Sequence, residues 1–340
     1  MFGGTASLTA KSSFKRQGVS GENLPTSVMR KIRTISLFVG CGGSDYALNQ
    51  TGFDIVWAND IWDLACKTYR DNIPAAKVEE GDITSYSQFP SADFLAGCYP
   101  CQGFTQGGRR EWGDSINYLY REFDRVLRLV LPKVFVVENV NGMAYGVNKD
   151  LLNNQLRRYR SAGYRVHWKV LNARDYGVAQ FRRRVFLVGV RSDISFEYSF
   201  PRPTHGVVGG DKFLTQKDAI AGLSRSARGK YDTEPLHWYY LSRKRRHDWD
   251  ETAPCIVGHW RHVPLHPSSP PLRRVHTDKW EFVREGPARR LSYLECAALQ
   301  GFPRTFTWRH GTPRDKFQMI GNAVPPPLFQ AVVKQLDGLW

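Results

Sequence analysis

The chain has 340 residues, of which 41% are hydrophobic and 24% charged. These are values of a globular protein long enough for two lobes, since single cores stop growing at about 250–300 residues. No apolar run is long enough to cross a bilayer, and no apolar segment near the start predicts a secretory signal. A formal net charge of +16 points to a large anionic partner, nucleic acid ahead of membrane, because no basic amphipathic helix is evident. The six cysteines, at 41, 66, 98, 101, 255 and 296, follow no spaced framework, which predicts free thiols in a reducing cytoplasm.

Residues 1–33, rich in Gly, Ser, Thr and Lys without a period, read as a flexible basic tail. A short strand pattern at 33–38 then runs into V-G-C-G-G-S and a helical stretch at 45–51. Strand, glycine turn and helix in that order form a cradle for a nucleotide-type ligand, because glycines let the backbone approach it. The next strand, 54–58, ends at Asn59-Asp60, and after a helix at 64–72 a second acidic strand end follows at Gly81-Asp82-Ile83. In a doubly wound sheet the first carboxylate is placed to accept ribose hydroxyls and the second to accept from an adenine amino group. Each could equally cap the helix that follows it. With the glycine turn, both suit an adenosine compound lying across the carboxyl ends of parallel strands.

The stretch 95–108, L-A-G-C-Y-P-C-Q-G-F-T-Q-G-G, reads as the end of a buried strand (93–97) that delivers Cys101 into a glycine-rich loop. By itself such a cysteine is as well explained as a small buried apolar side chain. A helix is predicted at 118–131, with 119, 123, 126, 127 and 130 on one apolar face and Pro132 closing it. The continuous apolar strand 134–137 follows and ends in Glu138-Asn139-Val140. A glutamate at that place is either paired or functional, because an unpaired buried carboxylate is costly. Residues 155–162 are helical in pattern, and strands at 164–171 and 184–190 flank the polar turn Q-F-R-R-R. From about 196 to 303 the texture changes to Pro, His, Trp and Arg with weak periodicity, which predicts a second, loop-rich domain. The chain returns at Phe317 to M-I-G-N-A-V-P-P-P-L and an amphipathic helix ending at Leu339, with prolines near its start where they are tolerated.

At this point the residues resemble the DNA cytosine-5 methyltransferase family. The resemblance runs in family order from 34 to 340: S-L-F-V-G-C-G-G at 36–43, G-D-I-T at 81–84, P-C-Q at 100–102, E-N-V at 138–140, Q-F-R-R-R at 180–184, R-R-L-S-Y-L-E-C-A-A-L-Q-G-F-P at 289–303 and G-N-A-V-P at 321–325. It implies an α/β fold, a Rossmann-like class I domain that binds S-adenosyl-L-methionine, over 34–196 and again over 308–340. A smaller loop-rich target-recognition domain over 197–307 completes it, with a cleft between the two for double-stranded DNA. The enzyme would be a cytoplasmic, nucleoid-associated monomer without a metal. Carried across, Phe38, Cys41 and Gly43 lie beside the methionine and adenine, Asp60 holds the ribose with Ile61 next to it, and Asp82 and Ile83 frame the adenine. Pro100, Leu119, Asn322 and Val324 complete the pocket. Two departures stand out: Cys98-Tyr99-Pro100 replaces the usual Gly-Pro-Pro or Phe-Pro, and Asp60 stands where Glu is usual.

The implied chemistry needs these groups. Carbon 5 of cytosine is a poor nucleophile until a thiolate, here from Cys101, adds at carbon 6. A carboxyl with a raised pKa, here Glu138, can then share or donate a proton at ring nitrogen 3. Arg184 is placed for the ring oxygen O2 and Arg182 for the flanking phosphate. Within 236–290, Y-L-S-R-K-R-R-H-D-W-D-E-T-A-P and R-H-V-P-L-H-P are similar to the recognition domain of GGCC-specific modification methyltransferases of type II restriction systems. That similarity implies guanine contacts for Arg243, Arg245 and Arg261, against the alternative that they bind phosphates only. A redox pair of Cys98 and Cys101, or a zinc site of Cys255, His259, His262 and His266, fits the spacing less well. The rival functions are an RNA cytosine methyltransferase, whose C-F-T-like turn is not found, and a DNA-binding relative that has lost catalysis, although Cys101, Glu138, Arg182 and Arg184 are all present.

Overall fold

In the computed structural model, which describes residue 1 and residues 31–100, 118–223 and 230–340, the apolar runs of the first half pair into one seven-stranded sheet. Its strands are β1 (Ile32–Leu37), β2 (Phe53–Asp60), β3 (Val78–Glu80), β4 (Phe94–Gly97), β5 (Val134–Val140), β6 (Tyr164–Asn172) and β7 (Arg183–Arg191). The order is β3-β2-β1-β4-β5-β7-β6, and β7 opposes both of its neighbours while the other pairs run parallel. Helices are α1 (Gly43–Asn49), α2 (Asp63–Asn72), α3 (Tyr120–Val130), α4 (Lys149–Ser161), α5 (Gln216–Ile220), α6 (Tyr293–Leu299), α7 (Pro313–Asn322) and α8 (Pro326–Val333).

A parallel sheet covered on both faces needs strands that are apolar throughout rather than alternating. Strand β5 meets that need, since Val134 and Val136 pack with Leu48, Tyr69 and Phe329 on one face and Phe135 and Val137 with Phe123, Leu127 and Tyr159 on the other. Helices α1, α2 and α8 therefore cover one side, and α3 and α4 the other. A third apolar cluster joins Cys41 and Ala65 of the sheet region to Ala253, Ile256, Val263 and Leu291 of the loop-rich region and to Phe317 of α7. Lys31–Trp340 forms one compact unit. The loop-rich region holds few regular elements: α5, α6 and a hairpin of β8 (Leu272–His276) and β9 (Lys279–Phe282).

Differences from the sequence reading have local causes. Strand β1 begins at Ile32, inside the predicted tail. Helix α3 is shorter than predicted because Leu131, at φ 48, closes it in the left-handed region. The predicted final helix stops at Val333 in favour of a 3-10 turn at Lys334–Leu336. Helix α7 was not foreseen; its signal is a capping box of Thr312 and Asp315 with Pro313 at the first turn. Pro325 keeps α7 and α8 apart, since the residue before a proline avoids helical geometry.

The exit of β4 is held from three directions. A Cβ on Gly97 would lie 2.4 Å from the Phe123 ring, so α3 packs directly on the strand end. Tyr99 is buried, its hydroxyl donating to Gln155 Oε1 and lying 3.2 Å from the Tyr159 hydroxyl. Its carbonyl accepts from Asn139 Nδ2 at 3.1 Å, while Asn139 Oδ1 accepts from the Val140 N–H at 2.8 Å. The chain is thus aimed at Pro100 and on to Cys101, which lies outside the described residues.

Two stability predictions follow from this exit. Gly97→Ala overpacks the Phe123 contact and should cost about 1–3 kcal/mol. Asn139→Ala removes the donor to the Tyr99 carbonyl and the acceptor of the Val140 N–H and should also cost about 1–3 kcal/mol. Chemical denaturation measures both, and wild-type stability in either variant would contradict the packing described.

Candidate active site

In the sheet order, β1 lies between β2 and β4, so the chain reverses its direction of winding there, and a ligand crevice is expected outside the carboxyl ends of these strands. Register brings four strand ends to one edge, with Leu37 opposite Asn59 and Gly97, and Asp60 opposite Glu80. Beyond β1, Phe38 (φ 58), Gly40 (φ 53) and Gly42 (φ 93) turn the chain through three left-handed residues. Among the described residues, and apart from Gly40 and its two chain neighbours, no heavy atom lies within 4 Å of where a Cβ on Gly40 would be, which leaves the backbone there open. The Gly40 N–H donates to Asp60 Oδ2 at 2.7 Å and the Trp62 N–H to Oδ1 at 2.9 Å. Asp60 thereby fastens the glycine turn, and each oxygen retains a lone pair for a hydroxyl. Burial raises its pKa above the usual carboxylate value.

The other predicted cofactor residues differ in burial. Cys41 is buried, its thiol reaching the Met319 carbonyl at 3.8 Å, and burial pushes its pKa up to about 12, so it stays a neutral thiol. Gly43 is buried and opens α1. Ile61 is 71% exposed, Asp82 caps the next turn by accepting from the Thr84 N–H at 2.9 Å, and Ile83 is buried. Pro100 and Leu119 are half-buried, Val324 is buried and Asn322 is exposed. Phe38 meets the Tyr99 ring edge-on at 6.2 Å. Apolar flanks, an open glycine backbone and a carboxylate at the end of β2 fit an adenosine-type group. Beneath the turn, buried Asp45 accepts from Ser36 Oγ (2.7 Å), Ser44 Oγ (3.1 Å) and the Tyr69 hydroxyl (2.7 Å), a network that no motif announced.

Glu138 is 6% exposed, and its Oε1 lies 3.2 Å from Arg184 Nε. Among the described residues that oxygen has no well-directed hydrogen bond, so its contact with Arg184 is an ion pair held by attraction rather than by alignment. Burial raises the Glu138 pKa against the opposing pull of Arg184 and Arg182. Cys98 sits beside it, its pKa pushed well up by burial and by the Glu138 charge.

Arg182 differs from expectation. It is 1% exposed, with Nη1 donating to the Ile256 carbonyl (2.8 Å) and Nη2 to the carbonyls of Gly321 (2.9 Å) and Ala323 (2.9 Å). A flanking phosphate is therefore not its partner; the carbonyls at the end of α7 lack helical donors and take the guanidinium instead. Burial and the nearby Arg184 push its pKa down to about 10. Around it, Gln180 Oε1 accepts from the Ile256 N–H (2.9 Å), Gln180 Nε2 donates to Gln300 Oε1, and Gln300 Nε2 donates to the Ala323 carbonyl (2.7 Å). A Cβ on Gly321 would lie 2.2 Å from the Gly258 nitrogen, so α7 and the 257–258 backbone touch without side chains between them. Cys255, 3.7 Å from Arg182 Nη1, was not foreseen as part of this group. Burial would raise its pKa, but Arg182 and Arg184 more than offset that and hold the thiol below its ordinary value.

The three predicted base readers lie in two segments joined by the Leu265 N–H donating to the Arg245 carbonyl at 2.9 Å. Arg243 is exposed and without a hydrogen bond or ion pair among the described residues. Arg245 is half-buried and donates through Nε to the Tyr240 carbonyl (3.2 Å) and through Nη1 to the His262 carbonyl (3.2 Å). Arg261 is exposed and pairs with Glu234. Trp238, 80% exposed, and Tyr239 adjoin them. Among the described residues no group of three or more His, Cys, Asp or Glu is placed to hold a metal: Cys255 faces Arg182, and His266 faces Ser268 and Glu295.

Comparison with known proteins agrees with this geometry. The family model described as C-5 cytosine-specific DNA methylase matches residues 32–338. The chain is 37% identical to the type II methyltransferase M.BsuRI of Bacillus subtilis, over 90% of this chain and 79% of that one. It is 33% identical to M.FnuDI of Fusobacterium nucleatum, over 90% of this chain and 94% of that one. In fold it is similar to the Dnmt2 methyltransferase of S. pombe, with a TM-score of 0.66 at 18% identity over 91% of this chain and 99% of that one. The chain therefore belongs to the C-5 cytosine-specific DNA methylase family.

Proposed function

We propose that this DNA cytosine-5 methyltransferase acts on a cytosine flipped out of a short GGCC-like duplex site, as the modification enzyme of a restriction system. Residues 34–196 and 308–340 form the catalytic part in this reading and 197–307 the recognition part, working as a monomer in the cytoplasm. The observation that carries it is the buried Glu138–Arg184 pair beside the β4 exit that leads to Cys101. S-adenosyl-L-methionine supplies an electrophilic methyl group, and the residues that would hold it are those at the strand ends, Phe38, Asp60 and Ile83 foremost. Flipping costs a few kcal/mol, which pocket contacts and basic side chains on the backbone offset.

The chain's own groups divide the work. The Cys101 thiolate adds to carbon 6 of the ring, and Glu138 holds a proton at ring nitrogen 3 as negative charge builds there. Its raised pKa, set by burial, suits that task. Arg184, paired with Glu138, offers its remaining donors to O2. Arg182 acts as a positioning residue that fixes the start of β7, in place of the phosphate contact first expected. After carbon 5 takes the methyl group, loss of its proton and departure of the thiol restore the ring.

Cys101→Ser should abolish methylation while leaving DNA binding nearly intact, because a hydroxyl fills similar space but is a far weaker nucleophile. The wild-type enzyme should form a covalent adduct with duplex DNA carrying 5-fluorocytosine, since fluorine cannot leave as the proton does. Turnover beyond a trace in the variant, or no adduct despite tight binding, would overturn the covalent route. For recognition, alanine at Arg243, Arg245 or Arg261 should each cost about 1–3 kcal/mol of discrimination at one base position. Uniform weakening across a library of short duplexes, with the salt slope lowered by roughly one unit, would assign these residues to phosphates instead.

A further inference from the structure

Of the three predicted base readers, Arg261 is the one paired with a carboxylate. Its Nε donates to Glu234 Oε2 at 3.1 Å and its Nη2 to Oε1 at 3.4 Å. Its guanidinium carbon lies 5.5 Å from the centre of the Trp260 ring. A guanidinium has five N–H donors, and the side-on pairing uses one on Nε and one on Nη2. The end-on edge, formed by Nη1 and the second Nη2 hydrogen, stays available and has the fork shape that fits O6 and N7 of guanine.

Glu234 is itself held. Arg314 Nη2 donates to its Oε1 at 3.2 Å, and its N–H donates to Asp232 Oδ1 at 3.0 Å. Its carbonyl accepts from Arg290, which is buried and lies over the Tyr240 ring. Trp260 is fixed in turn by His259, stacked on it at 4.3 Å and 14°, and by Arg314 at 4.7 Å. A carboxylate on a face meant for DNA lowers affinity for every sequence through repulsion from phosphates. Its presence beside an exposed arginine calls for a return in another quantity, and a long side chain that is already oriented loses less freedom on binding.

We propose that Glu234 is a positioning residue for sequence readout, orienting Arg261 side-on against Trp260 so that its free edge meets one guanine. This rests on the reading that Arg261 contacts a base. The test profiles methylation by the full-length enzyme on duplexes carrying each single-base change. Arg261→Ala should relax one position, Glu234→Gln should relax the same position by a smaller factor, on the order of threefold to tenfold, and the double variant should be no worse than Arg261→Ala alone. Binding of Glu234→Gln to non-cognate duplex should be unchanged or tighter, a readout that loss of structure alone would not give. Glu234→Asp, which keeps the charge but draws the carboxylate back by one methylene from the guanidinium, should fall between wild type and Glu234→Gln, and it carries the test if the glutamine variant does not fold. Relaxation by Arg261→Ala without any by the Glu234 variants overturns the orienting role and spares the base contact. No relaxation by Arg261→Ala overturns both.

Discussion

A buried guanidinium has to find acceptors, and much of this molecule is arranged around how Arg182 finds them. Removing a charge from water costs several kcal/mol even after relaxation, so the cation is tolerable only where hydrogen bonds and nearby negative charge compensate it. Here the compensation comes from three carbonyls on two segments far apart in the chain, at 256 and at 321 and 323. Because one planar group bonds all three, the start of β7, the loop-rich segment at Ile256 and the end of α7 share one fixed geometry. Gln180 and Gln300 extend the same connection through their amides.

That arrangement also sets the electrostatics of the site. Arg182 and Arg184 are two largely buried cations which, among the described residues, face the Glu138 carboxyl and the Cys255 thiol. Burial favours the neutral form of each acid, and the guanidiniums favour the charged form. The two acids come out on opposite sides, with the carboxyl above its ordinary value and the thiol below its own. A carboxyl that keeps its proton to higher pH and a thiol that gives one up more readily thus both follow from placement near the same two cations.

Much of the scaffold was legible in the sequence because it depends on local pattern. Continuous apolar runs marked the buried strands, and acidic residues and glycines marked the strand ends that the sheet brings to one edge. What stayed hidden depends on contacts across long stretches of chain. The Q-F-R-R-R motif drew attention to Arg182 but not to its direction, since its partners lie 74, 139 and 141 residues away. Asn139 stood inside a quoted motif, yet its grip on the Tyr99 carbonyl required the pairing of β4 with β5. Cys255 entered the reading only through a zinc spacing and Glu234 not at all, since each matters through an arginine that folding brings to it. Helix α7 was overlooked for a different reason, as its capping signal lies in polar residues that an apolar periodicity does not weigh.

The bare backbone contact between Gly258 and Gly321 bears on how such enzymes diversify. Side chains on the outer surface of the loop-rich region take no part in this contact, but where that region meets α7 there is no space for a methyl group. A loop-rich region transplanted from a relative would seat here only if it presented a bare backbone at this point and a carbonyl in the place of that of Ile256. Exchange of this region between such chains is thus constrained by a small seam with no side chains in it, whatever residues its outer surface carries.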